Sequence, residues 1–206
     1  MTSKTFAEIE GNIQGRLATL LSAGPVLFLA SGGSATTLSA TALSGIQTEN
    51  LTLGQVDERY GDIGHTNANW PSLKAQLHGF KGQLRPILTG VSREETVHNY
   101  EDFLKTYQGT VVALFGIGLD SHTAGILPGS PAATVEDRWV YGYQGPDFAR
   151  ITVTPAFMSR IDQAFLYAQG PEKLTVLDRY HEDHDPLQEP VQFLKRIEKL
   201  QIFHQI

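Results

Sequence analysis

Three uninterrupted apolar runs constrain this chain most: Val26-Leu27-Phe28-Leu29-Ala30, Val111-Val112-Ala113-Leu114-Phe115 and Ala164-Phe165-Leu166-Tyr167-Ala168. A strand with one wet face alternates apolar and polar residues. A strand covered on both faces is apolar throughout. Helical patterns lie between these runs. Phe6, Ile9, Ile13, Leu17, Leu20 and Leu21 recur at helical spacing, and Thr5 and Glu8 stand at capping-box spacing. Further helices are expected over 36–45, 70–79 and 92–107, after Pro171, and around Leu194, Ile197, Glu198 and Leu200. Further strands are expected over 51–57, 85–88 and 151–154, and at Ile202-Phe203. Apolar strands alternating with helices imply an α/β fold with a mainly parallel sheet covered on both faces. The 206 residues are read as a single domain, 1–206.

Composition removes several function classes. With no cysteine, disulfides, thiolate zinc sites, Fe–S clusters and cysteine nucleophiles are excluded. A formal net charge of −6 argues against a nucleic-acid binder, which needs a basic excess. Lys4, Glu8 and Glu10 interrupt the N-terminus and no apolar core of a signal peptide follows, so a cytoplasmic protein is expected. The run Val26 to Ala30 is too short to span a bilayer. No nucleic-acid or membrane partner is expected.

In a parallel sheet, ligands gather at the carboxyl ends of the strands. Three segments fall at such ends. Ser31-Gly32-Gly33-Ser34 follows the first apolar run and opens a helix. Its glycines permit close backbone approach, and a helix N-terminus attracts anions. It reads as a phosphate cradle or as an ordinary strand-to-helix turn. It lacks the spacing of an ATP-binding P-loop. Asp57-Glu58-Arg59-Tyr60 follows the second strand. Arg59 offers a planar, bidentate contact to a phosphate, or the segment is a solvated strand end with Asp57 and Arg59 simply paired.

The third segment runs from Gly116 to Gly129 and contains Asp120 and His122. If it is extended, their two-residue spacing puts both side chains on one side. His122 then reads as a general base with a supporting carboxylate, or as a buried structural histidine. Gly116 and Gly118 match half of a dinucleotide fingerprint, but Ser121 stands where its third glycine belongs. The run His181-Glu182-Asp183-His184-Asp185 reads as a surface loop or a weak metal cluster. His65, His78, His98 and His204 read as surface or supporting residues.

Taken in order, these segments resemble the 6-phosphogluconolactonase family, within the larger group of sugar-phosphate isomerases and lactonases. The matching pieces are Ser31-Gly32-Gly33-Ser34; Asp57-Glu58-Arg59 with His65 and Asn67-x-Asn69-Trp70; Gly116 through Ser130; Arg150 to Thr154; and Gln169-Gly170-Pro171-Glu172-Lys173. The resemblance implies a three-layer, modified Rossmann fold and metal-independent hydrolysis of 6-phosphogluconolactone to 6-phosphogluconate, a step of the pentose phosphate pathway. It implies His122 as general base and Asp120 as its support. Gly32, Gly33, Ser34, Arg59, Lys173 and, more weakly, Arg150 fall on the phosphate-holding positions. No cofactor or metal is implied, and the partner is a small sugar phosphate taken by a monomer or homodimer.

Two departures matter. The family's Gly between Asp and His is Ser121 here. At positive φ a serine costs about 1 kcal/mol or more. Leu127 stands where the related glucosamine-6-phosphate deaminases carry an acidic residue, and it cannot move a proton. A sugar-phosphate-binding paralogue without catalysis, and an isomerase or deaminase of an amino-sugar phosphate, remain as alternatives.

Overall fold

The computed structural model describes residues 3–205. In chain order it runs α1 (Phe6–Ala23), β1 (Val26–Ala30), α2 (Ala35–Leu43), β2 (Leu51–Gln55), β3 (Asp57–Arg59), α3 (Asn69–Ala75), β4 (Gln83–Leu84), α4 (Arg93–Thr106) and β5 (Thr110–Gly116). It continues with β6 (Val140–Gln144), β7 (Ala149–Val153), α5 (Pro155–Met158), β8 (Gln163–Gln169), α6 (Leu174–Tyr180) and β9 (Leu200–Gln205). Short 3-10 turns lie at Pro131–Thr134, Pro171–Lys173 and Pro190–Arg196.

Six strands form one sheet in the order β4-β2-β1-β5-β8-β9, and every neighbouring pair is parallel. One face buries Val26, Phe28, Val112, Leu114, Phe165 and Tyr167 against Ile9, Ile13 and Leu17 of α1 and Leu38 of α2. The other buries Leu27, Leu29, Val111, Ala113, Phe115 and Leu166 with Tyr100 and Leu104 of α4 and Val176 and Leu177 of α6. Neighbouring residues of β1, β5 and β8 thus point into opposite cores, which is why these strands are apolar throughout. The expected three layers are present. Thr5 and Glu8 form the expected capping box, satisfying donors at the first turn of α1.

From β1 the chain winds outward through β2 to β4, then returns to β5 on the other side of β1. This reversal opens a crevice between the carboxyl ends of β1 and β5, where such sheets bind ligands.

A second, antiparallel sheet, β3-β7-β6, was not expected. The strand read over 51–57 breaks at Val56. Val56 N donates to Ala30 O (3.0 Å) in the large sheet, while Val56 O accepts from Val153 N (2.8 Å) in the small one. Asp57 to Arg59 therefore belong to the small sheet, above the crevice. Tyr100 holds this joint. Its hydroxyl accepts from Gln55 N (2.8 Å) and donates to Gln55 O (2.7 Å). Residues 151–153 of the strand expected over 151–154 belong to β7 of the small sheet, and Thr154 is already the N-cap of α5.

Other expectations shift. In place of a strand at 85–88 there are two paired residues, Gln83 and Leu84: after Arg85 N, which donates to Leu53 O (2.8 Å), Ile87 N turns to the Gln55 side chain (3.1 Å) and the Gln55 backbone bonds to Tyr100 instead. The helix expected around Leu194 to Leu200 is a 3-10 segment beginning at Pro190, with Ile197 already extended and β9 starting at Leu200.

Glu58 ties β3 to α3. It is fully buried, and Ala68 at the helix N-cap makes no side-chain cap. One carboxylate oxygen of Glu58 accepts from Arg59 N (2.8 Å) and Asn69 N (2.6 Å). The other accepts from Gln55 Nε2 (2.9 Å) and Trp70 N (2.8 Å). A carboxylate suits a helix N-terminus electrostatically and here satisfies four donors. Glu58→Gln turns an amide NH2 toward two of those donors. Leaving a buried donor unmet costs about 1–3 kcal/mol, so urea unfolding of this variant should show a loss of that order. An unchanged midpoint would mean that the carboxylate holds nothing together here.

Candidate active site

The loop after β1 begins the site. Gly33 has φ 62°, the left-handed region that glycine enters without penalty. A Cβ on Gly32 would stand 2.3 Å from Asn69 Oδ1, so the Asn69 amide rests directly on this backbone. Ser34 is the N-cap of α2, yet its side chain makes no capping bond and its hydroxyl is uncommitted.

The loop after β5 carries Asp120 and His122. It is not extended. Gly118 N donates to His122 O (2.9 Å) and Ser121 N donates to Gly118 O (3.1 Å), which folds it into a turn. Ser121 is fully buried with φ 68°. This left-handed residue, rather than strand alternation, brings its two neighbours together. His122 Nδ1 lies 2.6 Å from Asp120 Oδ1, and His122 N donates to the same oxygen (3.2 Å). The hydrogen bond from His122 holds the Asp120 carboxyl down at about 2. An ionised carboxylate only accepts, so Nδ1 carries the proton and neutral His122 has its lone pair on Nε2. The pair closes over Gly118, where a Cβ would stand 2.1 Å from His122 Nδ1 and 2.3 Å from Asp120 Oδ1.

Cationic groups face this pair. Arg59 Nη1 donates to Asn67 O (2.8 Å), and the guanidinium packs over the Phe148 ring at 5.2 Å. Buried Arg150 approaches the same ring at 5.9 Å and donates through Nη2 to both Asp147 carboxylate oxygens, each at 2.9 Å. Each guanidinium retains a buried Nε–H with no hydrogen-bond partner. Lys173, at the end of the 3-10 turn before α6, makes no ion pair among the described residues. Arg59 does not pair with Asp57.

One cleft of about 230 Å³ takes in Gly32, Gly33, Ser34, Arg59, His122, Arg150 and Lys173, with Asp120 behind His122. The catalytic and phosphate-holding positions that the resemblance implies are therefore brought together at this crevice. Ser31, Asp57 and Asn69 add further polar side chains to its lining. The signal for Asn69 was present in Asn67-x-Asn69-Trp70. Asp57 was hidden by its charged neighbours, which made 57–59 look like a wet strand end. It is buried, and burial, reinforced by Glu58, raises its carboxyl to about 6 against the pull of Arg150, His122 and Arg59.

The remaining histidines lie outside the cleft. His204 is buried, not superficial: its Nε2 lies 2.9 Å from Gly170 O. His184 lies 3.0 Å from Glu182, while the His181 ring packs edge-on against Tyr180. Among the described residues no group of three or more acidic or histidine side chains gathers as a metal site. No helix among them is long and apolar enough to cross a membrane.

Residues 3–202 match the family model for glucosamine-6-phosphate isomerases/6-phosphogluconolactonases. The chain belongs to this family. Among curated relatives, a 6-phosphogluconolactonase of Synechocystis is 26% identical over 153 residues, 68% of this chain and 64% of the relative's length. A 6-phosphogluconolactonase of Caulobacter vibrioides is 27% identical over 170 residues, 75% of this chain and 73% of its own. The 6-phosphogluconolactonase structure from Thermotoga maritima superposes with a TM-score of 0.85 at 19% identity, covering 98% of this chain and 96% of that one. A monomeric glucosamine-6-phosphate deaminase superposes almost as well, with a TM-score of 0.84 at 15% identity, covering 100% and 96%. The same fold is thus shared by structures named for two different activities.

Asp57 gives this family member a pH signature. Its folded carboxyl is raised from 3.8 to about 6, so between those values the folded state keeps a proton that the unfolded chain has released. Stability is then lost as pH rises through that window, by on the order of 3 kcal/mol at neutral pH. Asp57→Asn removes the charge. Its gain in unfolding free energy over wild type should be small at pH 4 and large at pH 7.5. Equal differences at the two pH values would show that Asp57 is not a desolvated carboxylate.

Proposed function

We propose that this chain hydrolyses 6-phosphogluconolactone to 6-phosphogluconate, with His122 as general base. The observation that carries this reading is the 2.6 Å contact of His122 Nδ1 with an ionised Asp120, which leaves Nε2 basic beside a cationic cleft. The names of the curated relatives support the same substrate. A cleft of about 230 Å³ is smaller than the roughly 300–1,000 Å³ of pockets for drug-sized ligands, which suits one sugar phosphate better than a dinucleotide.

The steps follow from the groups present. Neutral His122 takes a proton from water through Nε2, and the hydroxide adds to the lactone carbonyl carbon. The carbonyl oxygen becomes an oxyanion, which backbone N–H groups lining the cleft would stabilise. Collapse breaks the bond to the ring oxygen, and imidazolium returns the proton to it. The products are a carboxylic acid, which ionises, and a free hydroxyl. Asp120 stabilises the imidazolium without being protonated. Arg59, Arg150, Lys173 and the α2 N-terminus hold the phosphate, so binding energy far from the ester positions it for attack.

Asp57 favours one competing reading. A carboxyl near 6 in the cleft is suited to proton transfer at carbon, as an isomerase or deaminase requires. Exchange of substrate C–H protons with deuterated solvent would support that chemistry. Leu127 in place of an acidic residue speaks for the lactonase.

One residue acting as general base contributes about 10²–10⁴-fold. His122→Ala should lower kcat/KM for fresh lactone by that order once spontaneous hydrolysis is subtracted. Unchanged turnover would remove His122 from the mechanism. Binding of 6-phosphogluconate with no rate above background in the wild type would favour the non-catalytic paralogue.

Arg59→Ala removes a phosphate cation without touching the base. It should raise KM for the lactone about tenfold or more, with a smaller effect on kcat. A loss confined to kcat would place Arg59 at the reacting atoms instead.

A further inference from the structure

We infer that Arg179 is a positioning residue for the His122–Asp120 pair, acting through the hydroxyl of Ser121. The inference rests on the lactonase reading for its kinetic consequence. Its structural basis is independent. Ser121 sits between the two members of the pair and must hold φ 68° for them to meet. A serine in the left-handed region lacks glycine's freedom, so its surroundings must hold it there. All three of its polar groups are engaged. Its N donates to Gly118 O (3.1 Å), its O accepts from Val191 N (2.9 Å), and its Oγ accepts from Arg179 Nη2 (3.0 Å).

A glycine could make the first two of these bonds. Only the third needs the side chain, and it alone reaches α6. Arg179 is fixed in turn. Its Nε lies 3.5 Å from Glu189 Oε1, and its carbonyl accepts from Gln192 Nε2 (3.1 Å). Val191, Gln192 and the neighbouring Glu189 belong to the segment that enters the 3-10 turn Pro190–Arg196. The same segment therefore grips Ser121 through its carbonyl and Arg179 through its side chain. Arg179 lies on α6, directly after the turn that brings Lys173 to the cleft. One short element thus carries a cation for the substrate and a clamp for the general base. Ser121 with Arg179 does by hydrogen bonding what a bare glycine does by lacking a Cβ.

The test is a set of variants read by two measurements: kcat and KM on the lactone, and the low-field proton NMR signal of the His122 Nδ1–H. Ser121→Ala keeps the positive-φ demand and deletes the hydroxyl. It should lower kcat about tenfold to a hundredfold, the cost of a small misplacement of a reacting group, leave KM within about twofold, and weaken the Nδ1–H signal. Arg179→Gln should do the same. In a Ser121→Gly background, Arg179→Gln should cost nothing further, because no hydroxyl remains to hold. Wild-type kcat and an intact Nδ1–H signal in Ser121→Ala would overturn the proposal. So would an equal loss from Arg179→Gln in the serine and glycine backgrounds, which marks a general structural role. If Arg179→Gln unfolds because Glu189 loses its cation, Ser121→Ala decides the question alone. If the wild type shows no lactone turnover, the lactonase reading fails, and the NMR signal still decides whether Arg179 and Ser121 position His122.

Discussion

The hydrogen bond between Asp120 and His122 Nδ1 is the contact on which the chemistry proposed for the cleft depends. It fixes the imidazole tautomer, so that Nε2 is the basic nitrogen. It also explains the residues around it. Gly118 has no Cβ because the pair occupies that space. Ser121 is bent into the left-handed region because a two-residue spacing closes only through a turn. The segment from α6 to the 3-10 turn at Pro190 packs behind Ser121 because that conformation must be held.

The rest of the fold brings charge to this pair. The order reversal between β1 and β5 opens the crevice, and Val56 switches the chain from the large sheet to the small one, so Asp57 and Arg59 stand above it. Glu58, between them, faces the opposite way and anchors α3, which delivers Asn69. A net charge of −6 repels an anionic substrate at long range. Inside the cleft the balance is local: Arg59, Arg150, Lys173 and an α-helix N-terminus surround one buried carboxyl, Asp57, whose charged form burial disfavours.

Much of this was legible in the residues. β1, β5 and β8 are apolar throughout because both faces are covered, and their glycine-rich exits mark the crevice. Candidate residues separated by more than a hundred positions were read as one site, and they line one cleft. What was not legible has physical causes. β6 escaped notice because Gly142 and a polar end blur its alternation. The break at Val56 depends on hydrogen bonds to two strands distant in sequence, which no local pattern reports. Asp57 carries the same letters whether wet or desolvated. Ser121 reads as a flaw in a glycine motif until Arg179, 58 positions away, is seen against its hydroxyl.

The account's central claim is that an ionised Asp120 makes His122 the base that attacks a lactone through water. The most direct measurement is turnover of freshly prepared 6-phosphogluconolactone by Asp120→Asn beside the wild type, with spontaneous hydrolysis subtracted. An amide keeps the shape of the contact and removes the charge that fixes the tautomer and supports imidazolium. The predicted result is a kcat lower by about 10²-fold or more with KM nearly unchanged. A kcat equal to that of the wild type would contradict the account.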